Sequence, residues 1–126
     1  MPNKCFIYQN KLYEFNFEHA CHYSQYFSRK HKEFETLKII NLVDETDFSP
    51  KLLSTSINAF INYFNDKKIT IDLTNIIDLH FLSQKYEVQE LSQQTNEFIE
   101  NNHKAVIVIL EIGNFQSIQK IYLEIS

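Results

Sequence analysis

LYEFNFEHACHYSQYFSRKHKEFETLKIINL, residues 12–42, carries the order on which the fold depends. Tyr13, Phe15 and Phe17 alternate with polar residues, the period of a strand with one face buried. From Glu18 the alternation stops. Ala20, Tyr23, Tyr26 and Phe27 then recur at helical spacing as far as about Arg29. Leu37 to Val43 returns to apolar, β-branched character and predicts a further strand. Strand, helix, strand is the order of a mixed α+β fold, and it contains no active-site motif.

On the N-terminal side, Cys5 to Gln9 is a second β-prone run, so it forms a predicted hairpin with Leu12 to Phe17 across Asn10-Lys11. On the C-terminal side, Ser49 is placed to cap a helix whose first position is Pro50, with Phe48 stapled onto Leu53. Leu53, Ile57, Phe60, Ile61 and Phe64 form the apolar stripe of that helix, and Asn65-Asp66 ends it. Lys68 to Asp72 is a short strand candidate, and Thr74 caps a helix running to about Tyr86. Ile76, Ile77, Leu79, Phe81 and Leu82 wrap most of that helix, which marks it as a buried central element.

Gln89 to Glu100 predicts a helix with Leu91, Thr95, Phe98 and Ile99 on one side and Glu90, Gln93, Glu97 and Glu100 on the other. Ala105 to Ile112 fits a helix stopped by Gly113-Asn114. Phe115, Ile118, Ile121, Tyr122 and Ile125 then make an amphipathic stripe that reaches the last residue. The expectation is that its packing partner lies elsewhere: the chain is a fragment, or this helix docks on another copy.

Composition narrows the class of function. The 126 residues fit one domain able to bury about 65–70% of its extended surface without disulfide or metal staples. Aromatics reach 14% and charged residues only 22%, so a packed globule is expected and not a solvated tail. The net charge is −4, and Arg29, Lys30 and Lys32 form the one basic cluster, which suits a helix end better than a run of phosphates. Nucleic acid is therefore not an expected partner. Cys5 and Cys21 lack CxxC spacing, and no signal-peptide pattern precedes them. Reduced thiols in the cytoplasm or nucleus, not a secreted protein, are expected. The longest apolar run, Ala105 to Leu110, is far short of the roughly 20 residues of a membrane span.

The scarcity of glycine excludes whole classes of enzyme. Gly113 is the only one, whereas phosphate-cradling loops, dinucleotide turns and nucleophile elbows all need glycine where backbone meets ligand. His19 and His22 share a predicted helix with Cys21 between them, but Cys5, His31 and His80 stand at no diagnostic spacing from them, so no metal site is expected. Cys21 and His22, as helical neighbours, point apart. His80 sits between Leu79 and Phe81 in the buried helix, where a neutral, hydrogen-bonded core histidine is expected. Glu97 and Glu100 lie on the solvated side. No catalytic residue, cofactor or small-molecule substrate is anticipated.

This order of elements, with Ser24-x-Tyr26-Phe27 closing the first helix, resembles the BTB/POZ family. Ile61-Asn62-Tyr63-Phe64 followed by Lys68-Ile69-Thr70-Ile71 is similar to one family segment. Asn75-Ile76-Ile77-Asp78-Leu79 with Gln84-Lys85-Tyr86-Glu87-Val88 is similar to another. The resemblance runs from about Cys5 to Asn102. It departs at Asn16, where the family often has histidine, and at Phe64-Asn65-Asp66, which replaces a Tyr-Thr-Gly turn.

The resemblance implies a BTB/POZ-like domain over residues 1–102, with about three strands flanked by five or six helices. It implies a helical extension over 103–126 of the kind that begins a BACK-like region or precedes ankyrin repeats. It also implies a non-enzymatic protein-binding module, commonly a homodimer, which in many members docks to a cullin as a ubiquitin-ligase substrate adaptor. Cullin-binding members carry an apolar-x-Glu motif. Phe34-Glu35-Thr36 is the candidate here, with the acid directly after the aromatic residue. Phe34 and Glu35 are thus the candidate protein-binding residues, an aromatic anchor beside an orienting carboxylate. The other reading of Phe34 is that it packs on the domain's own core. A monomeric linker resembling elongin C, and a small enzyme on another fold, are the alternatives.

Overall fold

The structure, a computed structural model, describes residues 3–44 and 51–113. Strands β1 (Asn3–Tyr8) and β2 (Lys11–Asn16) pair antiparallel, with Phe6 opposite Tyr13 and Lys4 opposite Phe15. The turn between them is Gln9-Asn10, at φ 50° and 63°. Two successive left-handed residues give the turn whose twist matches a hairpin. The expected turn, Asn10-Lys11, is one residue too far along, because glutamine carries no left-handed signature. β3 (Ile39–Asn41) lies on the other side of β1, parallel to it, giving the order β2-β1-β3. The expected strand, Leu37–Val43, shortens to this core. The bonds from Cys5 N–H to the Lys38 carbonyl and from Leu42 N–H to the Ile7 carbonyl are the outermost rungs.

The single helix expected from Glu18 to Arg29 is two. Phe17, expected at the end of a strand, opens α1 (Phe17–Tyr23), and Asn16 caps it by accepting from His19 N–H. Ser24 then turns extended, at φ −111° and ψ 119°, and its hydroxyl accepts from Phe27 N–H to start α2 (Gln25–Arg29). A serine that can cap competes with helix continuation. The short α3 (His31–Phe34) follows at once. These two departures raise the helices among the described residues to seven.

The capping motif at Phe48-Ser49-Pro50 lies outside the described residues. The helix it was expected to open, α4 (Ser54–Phe64), begins only at Ser54. Residues 51–53 stay extended because their amides are taken from outside. Leu52 N–H donates to Tyr8 Oη and Leu53 N–H to Asp78 Oδ2. Leu53 is consequently exposed instead of joining the stripe of Ile57, Phe60, Ile61 and Phe64, which is buried.

Lys68–Asp72 forms no strand. Asn75 ties it down by donating to the Thr70 carbonyl and accepting from Asp72 N–H, while Asp72 accepts from the amides of Thr74 and Asn75. Asp72, not Thr74, therefore supplies the turn before α5 (Ile76–Lys85). Every residue from Ile76 to Ser83 is buried, as expected of a central helix. α6 (Gln89–Asn101) buries Leu91, Thr95 and Ile99, and α7 (His103–Gly113) follows after Asn102. The terminal stripe from Phe115 lies outside the described residues.

The result is α+β. One sheet face packs on α1 and α4, and α5, α6 and α7 add outward from α4 in succession. The core between sheet and helices is aromatic: Phe6 stacks on Phe15 at 4.1 Å between centroids, and Phe27 on Tyr86 at 5.2 Å. Each such fully buried ring contributes about 1.5–3 kcal/mol.

Candidate protein-binding surface

Two segments 62 residues apart, around Ser24 and around Tyr86, meet at Ser24. Its hydroxyl donates to the Tyr86 carbonyl while capping α2. Gln25 N–H donates to the Glu87 carbonyl at 3.2 Å, and Arg29 grips the Glu87 carboxylate with both guanidinium nitrogens, at 2.6 and 2.8 Å. Tyr26 and Phe27 both lie against the Tyr86 ring, whose phenol donates to the Leu42 carbonyl behind β3. The first helical segment is thereby locked to the end of α5 and to the sheet.

Phe34, a candidate anchor whose other reading is packing on the chain's own core, is half-buried. Its ring lies 6.0 Å from Tyr26 and 5.6 Å from Phe27, so it closes the edge of the chain's own core and presents only its remaining part outward. Glu35 is exposed. The backbone around it is fixed from β1, since Lys4 Nζ donates to the carbonyls of Glu35 and Leu37 and lies over the Phe17 ring. The structure keeps Phe34 and Glu35 adjacent but does not free the aromatic ring.

A larger apolar surface, which sequence reasoning missed, lies on the other side of the sheet. Phe6, Tyr13, Phe15 and Ile40 point to the core. The alternate positions of all three strands therefore point away from it. Leu12, 53% exposed, sits opposite Ile7, and Ile39, 50% exposed, sits opposite Cys5. Leu37, two residues before Ile39, is 43% exposed. Leu12, Ile7, Cys5 and Ile39 make an apolar diagonal across the sheet, and the polar Asn3, Asn16 and Asn41 share that face. Glu14 is the charged residue at these outward positions, and Asn3 Nδ2 donates to it at 3.1 Å.

The titratable groups lie elsewhere. A hollow of about 310 Å³ is lined by Tyr23, Tyr63, Asp66, Lys67, Lys68 and Glu90. Asp66 accepts from the Tyr23 phenol, which pushes that phenol above its ordinary pKa, and burial pushes Tyr63 up as well. Both are thus weaker acids than free tyrosine. His19 Nδ1 stands 3.0 Å from Asp66 Oδ2 and 3.2 Å from the Phe64 carbonyl, two acceptors that select the tautomer with its proton on Nδ1. His22 packs edge-on against Tyr23 instead of joining His19.

His80 is buried with Nδ1 3.1 Å from Thr95 Oγ1, and desolvation lowers its pKa to about 4. It is the neutral core histidine that its place in the sequence suggests. Cys5 and Cys21 are both free thiols, and burial raises Cys21. No described helix is long and apolar enough to cross a membrane, and no group of three or more His, Cys, Asp or Glu among the described residues is arranged to hold a metal.

No protein-family model matches the chain, and no curated protein or solved structure matches it.

Proposed function

We propose that the chain is a non-enzymatic protein-interaction module of the BTB/POZ kind, binding other polypeptides and associating with itself. The observation that carries this reading is the junction at Ser24. The two segments on which the resemblance rests, Ser24 to Phe27 and Gln84 to Val88, are in direct contact and jointly fix the sheet. The exposed Leu12 and Ile39 on the outer sheet face support the binding role, since exposed apolar patches mark sites of association.

Recruitment of a cullin as a ubiquitin-ligase adaptor is the more specific form of this proposal, with Glu35 and the outward part of Phe34 as contacts. A cytoplasmic or nuclear setting goes with the free thiols. Light scattering of the isolated chain at roughly tens of micromolar, the range in which micromolar affinities show, should report a dimer. A pull-down on cullin scaffolds, comparing the chain with Phe34→Ala, should recover less of the variant. A chain that stays monomeric and is not retained by any cullin would remove both the self-associating and the adaptor forms of the proposal.

A further inference from the structure

Two helices end against each other at Tyr23 and Tyr63. Tyr23 closes α1 and Tyr63 is the penultimate residue of α4, and their rings meet edge-on, with centroids 5.2 Å apart and planes inclined at 60°. Asp66 follows α4 in its left-handed position, and Glu90 stands in the first turn of α6. These four residues, with Lys67 and Lys68, line the hollow of about 310 Å³. It contains neither Phe34 nor Glu35.

The charges that bear on the two phenols are negative. Tyr23 is raised first by its hydrogen bond to Asp66, then by burial and by the charges of Asp66 and Glu90, and Tyr63 is raised first by burial and then by Glu90. Tyr63 Oη is shielded from water and has no hydrogen-bond partner, so Glu90 stands close enough to raise it yet outside bonding geometry. A buried polar atom left unsatisfied marks a place where a further group belongs. Asp66 is already held by Tyr23 and by His19 Nδ1, 3.0 Å away. Glu90 has no ion-pair partner among the described residues, and neither have Lys67 and Lys68, which are exposed.

Chemistry selects the occupant. Carboxylates beside aromatic rings attract a cation, whereas an anion drawn to the two lysines would meet Asp66 and Glu90. A guanidinium suits the place better than an ammonium, because it is planar, stacks on a tyrosine ring and donates in a fork to both oxygens of one carboxylate. The volume lies at the lower end of the roughly 300–1,000 Å³ of ligand pockets, which is room for one side chain.

We infer that this hollow receives an arginine side chain of a partner polypeptide, its guanidinium bonded to Glu90 and lying against the rings of Tyr23 and Tyr63, with an acidic residue after the arginine meeting Lys67 and Lys68. This rests on the protein-binding reading and names what the partner presents.

Three capped peptides, Gly-Arg-Glu-Gly, its citrulline analogue and Gly-Arg-Lys-Gly, test it by NMR titration of the labelled chain to about 10 mM, a range that reports millimolar affinities. The first should shift the ring signals of Tyr23 and Tyr63 and the amides of Asp66 and Glu90. It should bind about tenfold tighter than the citrulline peptide, which keeps the shape and loses the charge. Gly-Arg-Lys-Gly should bind more weakly than the first, and equal binding would overturn the acidic neighbour. Glu90→Gln, an exposed change checked as folded by thermal unfolding, should weaken the first peptide about tenfold. Equal binding of the arginine and citrulline peptides, an unchanged affinity in Glu90→Gln, shifts confined to other surfaces, or no shift at all would overturn the inference. So would free arginine binding as tightly as the peptide, since the ligand would then be the amino acid. Self-association and cullin recovery are measured without peptide, so the two proposals fail separately.

Discussion

Replacing Ser24 with alanine tests the junction that organises the fold. The hydroxyl has two roles at a site 1% exposed: it accepts from Phe27 N–H as the cap of α2 and donates to the Tyr86 carbonyl. Loss of a serine cap costs about 1 kcal/mol, within a range of 0.5–2. Loss of a buried hydrogen bond costs a further 0.5–1.5 kcal/mol or so. The oxygen is small, so the cavity left behind adds little, and the expected total is about 1.5–2.5 kcal/mol. For a domain of this size that corresponds to a fall in Tm of roughly 6–10 °C. Urea denaturation followed by circular dichroism measures it directly: the midpoint should drop at unchanged slope. Ser28→Ala, on the exposed side of the same helix, should stay within about 0.5 kcal/mol of the parent and serves as the control. A Ser24→Ala protein as stable as the Ser28→Ala protein would show that the hydroxyl does not hold α2 to α5.

Asn10→Gly should raise the urea midpoint, with a gain of up to about 1 kcal/mol, because residue 10 sits at φ 63° in a two-residue turn that favours glycine there. Phe34→Ala should cost about 1–2 kcal/mol in the same assay, less than a fully buried phenylalanine, since its ring is only half-buried on Tyr26 and Phe27. His80 makes stability depend on pH. Its folded pKa of about 4 lies below the ordinary 6.5, so the contribution is whole above pH 6.5 and is lost as pH falls toward 4, by up to about 3 kcal/mol, because only the unfolded chain takes up the proton. Asp78, raised by burial, works in the opposite direction, so the informative measurement is the difference between the parent and His80→Gln across pH 4–7. A parallel pair of curves would refute the assignment.

Periodicity made the helices legible where one face is buried and the other wet. The stripe of α6 and the all-round burial of α5 follow from spacing alone. What spacing could not supply is where a polar side chain captures backbone. Asp78 takes the Leu53 amide and delays α4, Tyr8 takes that of Leu52, and Asn75 holds Thr70 out of any ladder. The Tyr8 and Asp78 bonds join groups 44 and 25 residues apart, whose proximity exists only in the folded chain, whereas the Asn75 bond spans 5 residues and is local. The signature of Ser24 as a capping residue is also local, but it is not sufficient on its own, since Ser83 and Ser92 sit inside α5 and α6 without ending them.

The left-handed residues show why a chain almost without glycine still turns sharply. α4 and α5 both end with a residue at positive φ, Asp66 at 60° and Glu87 at 51°. In each case the next amide reaches back to close the helix, Lys67 to the Asn62 carbonyl and Val88 to the Ser83 carbonyl. A non-glycine residue there costs about 1–2 kcal/mol. At both positions the side chain answers that cost with a contact glycine lacks: Asp66 accepts from Tyr23 and faces His19, and Glu87 accepts from Arg29. The helix ends are therefore also the tethers that bring α1 and α2 against α4 and α5.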